Sequence, residues 1–198
     1  MKNHALSAVF VFLALCNLLS AEGRKKLDTT IPYGEIMNMD PADVDPGGLP
    51  LTPVESMHST GSYQYVELAA WRLAVTGPAV TTPLALTYEE LGRMPTVKKR
   101  AILICPGFFY DYLEWEGVLL TALLEKAGVK DFSTVRFTSV DGYVGVFTRE
   151  EVAVHLIMVA MRGNGVPLPR AQGYPVRVVA EDLFGGRWVK YVKEIFVQ

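Results

Sequence analysis

Ala101-Ile102-Leu103-Ile104-Cys105-Pro106-Gly107 decides how this chain is read. Four apolar residues in succession mark the buried end of a strand whose start, from Lys98, is basic. Pro106-Gly107 stops it, which leaves Cys105 at the strand's mouth. A lone thiol in that position suits a soft-metal ligand or a nucleophile. A buried cysteine acting as a small hydrophobe is the better account of Cys105 taken alone, and the residues around it reverse that.

The second cysteine, Cys16, lies in a stretch that reads as an export signal. Lys2 precedes an apolar run from Ala8 to Leu15, then Leu18-Leu19-Ser20-Ala21, with cleavage expected near Ala21 or Gly23. The run is short for a membrane span. No arginine precedes Arg24, so the leader has the pattern of ordinary secretion, and Cys105 is expected to be the single thiol of an extracytoplasmic, periplasmic protein, one attached to the membrane if the leader stays uncleaved. Removing residues 1–21 takes away Lys2 and no acid, so 19 basic residues become 18 against 21 acidic ones. That balance gives no basic face for nucleic acid.

Residues 22–53 read as an extended N-terminal arm, rich in Pro, Gly and Asp and without helical or strand period. Residues 22–35 are expected to be a flexible leader, and the chain from 36 onward to lie along the surface of a domain spanning 54–198. Trp71, Leu73 and Val75 alternate with polar or small residues as a strand ending at Gly77-Pro78. Thr87-Tyr88-Glu89-Glu90 and Thr148-Arg149-Glu150-Glu151 are capping boxes that open short helices. Leu119, Leu120, Leu123 and Leu124 place a helix over 118–127, stopped by Gly128. Strands are expected over 135–139, 143–147, 156–161, 174–179 and 188–197, with Trp71, Trp115 and Trp188 in the packing. Many short strands mixed with a few short helices make the class α+β.

Five patterns occur in a fixed order. They are Cys105-Pro106-Gly107, Trp115-Glu116-Gly117-Val118, Asp141-Gly142-Tyr143, Gly173-Tyr174-Pro175-Val176-Arg177, and Gly186-Arg187-Trp188-Val189-Lys190-Tyr191. As an ordered set they resemble the oxidoreductase molybdopterin-binding domain of the sulfite oxidase family, in its short single-domain prokaryotic form, over roughly residues 50 to 197. The resemblance implies a molybdopterin (molybdenum) cofactor with Cys105 as the thiolate ligand of the metal. It implies that Arg177 and Lys190 hold the cofactor's phosphate, that Asp141 lies near the pterin, and that Tyr143 orients an oxo group or substrate. His58 falls in the early loop that covers the cofactor. Gln172 stands where the family carries a phosphate-binding histidine, so the resemblance implies a cofactor-binding amide that can still donate hydrogen bonds but lacks the charge.

A further departure follows the cysteine. Sulfite oxidases carry basic residues shortly after it, whereas this chain has Phe108-Phe109-Tyr110. Sulfite is therefore not the expected substrate, and a small, less charged molecule such as a sulfoxide or N-oxide fits better. The chain has no C-x-x-C-H haem motif, so an electron partner, a cytochrome or a membrane quinone-linked subunit, is implied. The competing expectation is a cofactor-free binding or interaction module that keeps the fold.

Overall fold

The computed structural model describes residues 23–198. Its strands are β1 (Lys25–Lys26), β2 (Val44–Asp45), β3 (Leu73–Thr76), β4 (Leu84–Leu86), β5 (Val97–Cys105), β6 (Phe109–Leu119), β7 (Thr134–Ser139), β8 (Val144–Thr148), β9 (Ile157–Gly163), β10 (Val166–Pro167), β11 (Arg177–Ala180) and β12 (Val192–Val197). The helices are α1 (Tyr33–Ile36), α2 (Tyr88–Gly92), α3 (Leu120–Lys126) and α4 (Arg149–Val154). The α+β expectation holds. The expected export signal, residues 1–21, lies outside the described residues. Among those residues no helix is long and apolar enough to cross a membrane.

Two five-stranded sheets enclose the main core. One runs β10-β9-β6-β5, with β11 also paired to β9, and the other runs β4-β3-β12-β7-β8. All pairings in them are antiparallel except β12 with β3. Trp71, Trp115 and Trp188 are all buried in the core, as expected. Both capping boxes form: Thr87 opens α2 and Thr148 opens α4, each satisfying helix N–H groups that would otherwise lack partners.

Three expectations need correction. The stretch after Cys105 is a long strand, and it continues through Val118 and Leu119, so α3 begins only at Leu120. The segment 188–197 is a strand only from Val192; before it comes a tight turn over Gly185–Arg187. From residue 23 the arm is also not a loose leader. β1 pairs in parallel with β2, and Leu27, Ile36, Val44 and Leu49 bury themselves against Ile102, Ile104 and Tyr112.

The arm explains an oddity of β5. Lys98, Arg100, Ile102 and Ile104 share one face of the strand, because side chains alternate. The first two face solvent opposite Glu116 and Glu114 of β6, while the last two are buried. The face turns apolar where the arm lies across it. Arg24 fastens the arm's start to the chain just after β11 with a two-pronged ion pair to Asp182, at 2.7 and 2.8 Å. Tyr33 adds a second fastening: it stacks on Tyr110 and its hydroxyl accepts the Tyr110 N–H.

Candidate functional site

The β5–β6 hairpin sets the site. Cys105 pairs with Phe109 and Leu103 with Asp111, so these four side chains share the face turned away from the arm. Cys105 is a free, half-buried thiol. Burial pushes it up from its ordinary pKa, the charge of Arg177 draws it down, Asp111 pushes it up further, and Lys190 opposes. It therefore rests as a thiol, and a metal binding there would displace its proton. Gly185 sits against it: a Cβ at that position would lie 2.8 Å from the sulfur.

Arg177 and Lys190 meet as a single antiparallel bridge. Arg177 is buried, with its guanidinium 5.2 Å from the Trp115 ring and 5.9 Å from the Trp188 ring. Desolvation lowers its pKa to about 10, so it stays cationic at neutral pH. One guanidinium nitrogen donates to the Gln172 side-chain oxygen at 3.3 Å, and Nε has no partner. Lys190 is half-buried and donates to Ser59 Oγ, the Thr60 carbonyl and the Ala171 carbonyl at 3.0 to 3.2 Å. Burial and the neighbouring Arg177 lower its pKa, against the pull of Asp141. Among the described residues neither cation has a carboxylate within ion-pair distance. Gly173, with a φ of 101°, lets the chain turn behind both; a Cβ there would press on Lys190 and Arg177 at 3.0 and 3.2 Å.

Gln172 is buried and fully engaged. Its amide nitrogen donates to the carbonyls of Met57 and His58, at 3.2 and 3.0 Å, while its oxygen faces Arg177. It braces the early loop against the arginine and presents no spare donor to a ligand. That loop carries His58, whose backbone N–H and Nδ1 both reach the fully buried Asp111 carboxylate at 3.0 Å. The His58 ring stacks on Phe109, with centroids 4.9 Å apart. Asp111 is raised above its ordinary pKa by burial, which the His58 hydrogen bond and charge offset only in part.

Asp141 and Tyr143 occupy the exposed β7–β8 turn. Asp141 accepts the Tyr143 N–H at 3.1 Å, and Tyr143 donates its hydroxyl to the Gly186 carbonyl at 2.6 Å. Tyr143 thereby grips the turn whose other glycine touches Cys105.

The expected residues thus gather around the open end of β5. Cys105 feels the charges of Arg177 and Lys190, Lys190 feels Asp141, and Gln172 ties Arg177 to the His58 loop. Three contributors escape the sequence reading: Asp111, Ser59 and Gly185. Only Asp111 leaves a trace in the sequence, as an acid at an inward position of an otherwise apolar strand face.

These residues suit a molybdenum-bearing pterin. A soft thiol is available, and no group of three His, Cys, Asp or Glu side chains able to hold a metal occurs among the described residues, which suits a metal that arrives with a cofactor of its own. Two unpaired cations, one with an orphaned buried N–H, suit the cofactor's phosphate.

Comparison with known proteins agrees. Residues 60–198 match the family described as oxidoreductase molybdopterin binding domain. The chain is 25% identical over 166 residues to an uncharacterized oxidoreductase, YuiH, of Bacillus subtilis, covering 82% of this chain and 83% of that one. It is 27% identical to YedZ1 of Azospira oryzae, a subunit named for protein-methionine-sulfoxide reduction, over 73% of this chain and 55% of that protein. It spans only 20% of a barley nitrate reductase that it also matches. Among solved structures, the sulfane dehydrogenase SoxCD of Paracoccus pantotrophus superposes with a TM-score of 0.69 at 26% identity, over 74% of this chain and 43% of that one. The α+β fold is of the sulfite-oxidase type.

Proposed function

The chain belongs to the oxidoreductase molybdopterin-binding domain family, and from that premise we propose that it is an extracytoplasmic enzyme moving an oxygen atom to or from a small, weakly charged substrate. The observation that carries this reading is the half-buried free thiol of Cys105 beside two cations, Arg177 and Lys190, that have no carboxylate partner. A scaffold has no use for a buried, unpaired guanidinium, which costs free energy until an anion joins it.

When bound, the cofactor supplies a molybdenum centre that exchanges an oxygen atom and two electrons with the substrate. Cys105 would ligate the metal. Arg177 would face the phosphate from its slot between two indoles, and Lys190 would exchange a loop acceptor for a phosphate oxygen. Gln172 holds the loop over the site, Asp141 would lie near the pterin, and Tyr143 fixes the Gly185–Gly186 turn beside the sulfur. Beyond Cys105 the hairpin turn offers Phe108, which is 76% exposed, and no charge. An aromatic rim of this kind favours a sulfoxide or N-oxide over sulfite.

The electron partner in this reading is a cytochrome or a membrane quinone-linked subunit, and the leader directs export. N-terminal sequencing of the mature protein tests the second point, with a start near residue 22 or 24 expected. The activity test assays cofactor-loaded protein with dimethyl sulfoxide, trimethylamine N-oxide and sulfite under matched electron supply. Turnover of an oxide at a kcat/KM well above that for sulfite is expected, and preferred oxidation of sulfite contradicts the substrate assignment.

A further inference from the structure

We propose that His58, held by the buried Asp111, is the residue that exchanges protons between this site and solvent. The inference rests on the oxygen-transfer reading above and adds a role the family resemblance does not give. Reducing an oxide breaks the bond between oxygen and sulfur or nitrogen. The oxygen leaves as water, and the step consumes two protons and two electrons. The electrons come from a reduced cytochrome or quinol through the metal centre. In the opposite direction water supplies the oxygen and two protons leave. Either way, protons must cross between a half-buried site and bulk water.

Most other polar groups at the site are committed elsewhere, and Asp141 stands on the exposed β7–β8 turn, where it accepts the Tyr143 N–H. Cys105 is spent on the metal. Arg177 keeps its proton at neutral pH and is buried. All three Lys190 N–H bonds have acceptors, and the Tyr143 hydroxyl is tied to Gly186. Asp111 is fully buried and has no path of its own to water. His58 spans the boundary: its side chain is 48% exposed on one side and bonded to the buried carboxylate on the other. Imidazole is also the side chain that gains and loses a proton most readily near neutral pH.

Asp111 determines which nitrogen does the work. One oxygen accepts the His58 backbone N–H and the other lies 3.0 Å from Nδ1; an ionised carboxylate can only accept there, which puts the neutral ring's proton on Nδ1 and leaves a lone pair on Nε2. Phe109 supports the ring face, Tyr33 lies 6.3 Å away, and Lys190 reaches the adjoining Ser59 and Thr60. Cys105 pairs with Phe109, so the ring stands next to the metal-binding end of the hairpin.

Two arms test this. In cofactor-free protein, nitrogen-15 NMR should find neutral His58 as the Nδ1–H tautomer, and Asp111→Asn should mix the tautomers; a predominantly Nε2–H ring in the wild type overturns the assignment. In loaded protein, His58→Ala should lower kcat about 100-fold with molybdenum content unchanged, and added imidazole should restore much of the loss. His58→Gln, which keeps the loop filled, should be equally slow and not rescued. Unchanged kcat in both variants, or loss of molybdenum in His58→Ala, overturns the proton role while leaving the oxygen-transfer reading intact. A loaded wild type that turns over neither oxides nor sulfite defeats that reading, and the proton role with it.

Discussion

Gly185 and Cys105 are in contact across the two ends of the site: a Cβ on Gly185 would sit 2.8 Å from the cysteine sulfur, closer than side chains tolerate. The turn that Tyr143 holds by its hydroxyl therefore also sets the room around the thiol. Gly185→Ala should push the thiol or the turn aside and sharply reduce molybdenum content, while the cost in stability stays within about 1–3 kcal/mol, typical of overpacking. Metal analysis and a denaturant titration of the same sample check both halves.

Arg177 separates stability from loading. Its charge is buried between Trp115 and Trp188 with no carboxylate at ion-pair distance. Arg177→Met keeps most of the volume and removes the charge, so cofactor-free protein should be within about 1 kcal/mol of wild type, or more stable. Retention of the cofactor should fall at least about tenfold, because the phosphate loses its charged donor. Thermal melts of the empty protein and cofactor content of the loaded one are the measurements.

Asp111 gives a pH signature with a definite sign. Burial raises its pKa above the ordinary 3.8, so the folded chain holds that proton to higher pH than the unfolded chain does. Its contribution is thus most favourable in acid and declines as pH climbs from 3.8 through the raised value. Relative to Asp111→Asn, the wild type should lose unfolding free energy as pH rises from the ordinary carboxylate value through the raised one. A difference that grows in the opposite direction contradicts the assignment.

The arm is part of the domain's core. Leu27 is completely buried against the outer face of β5. Leu27→Ala should cost about 2–5 kcal/mol, the range for a core leucine, where a loose leader would cost nothing. Chemical denaturation with a single fluorescence transition checks this.

The sequence makes some of this architecture plain and hides the rest, for identifiable reasons. The run from Ala101 to Ile104 demands cover on both faces, and the structure supplies it. What provides the cover is obscure beforehand, because Leu27, Ile36, Val44 and Leu49 follow no period; their order comes from the surface they land on. β6 is missed because Asp111 breaks the apolar alternation at an inward position, and only its bonds to His58 make that burial tolerable. Arg177 looks in sequence like one more polar residue of an alternating strand. Its burial between Trp115 and Trp188 depends on β6 meeting a segment much further along the chain. Motif order brings Cys105, Arg177 and Lys190 into view, whereas Gly185's contact with the sulfur exists only in three dimensions.

The central claim is that Cys105 holds a molybdenum cofactor. Elemental mass spectrometry of wild type and Cys105→Ala, both purified from a cofactor-competent host and both verified as folded, tests it most directly. The account predicts near-stoichiometric molybdenum in the wild type and its loss in the variant. Well-folded wild type without molybdenum, or equal metal in both proteins, would contradict it; the first result would leave a cofactor-free interaction module as the better description.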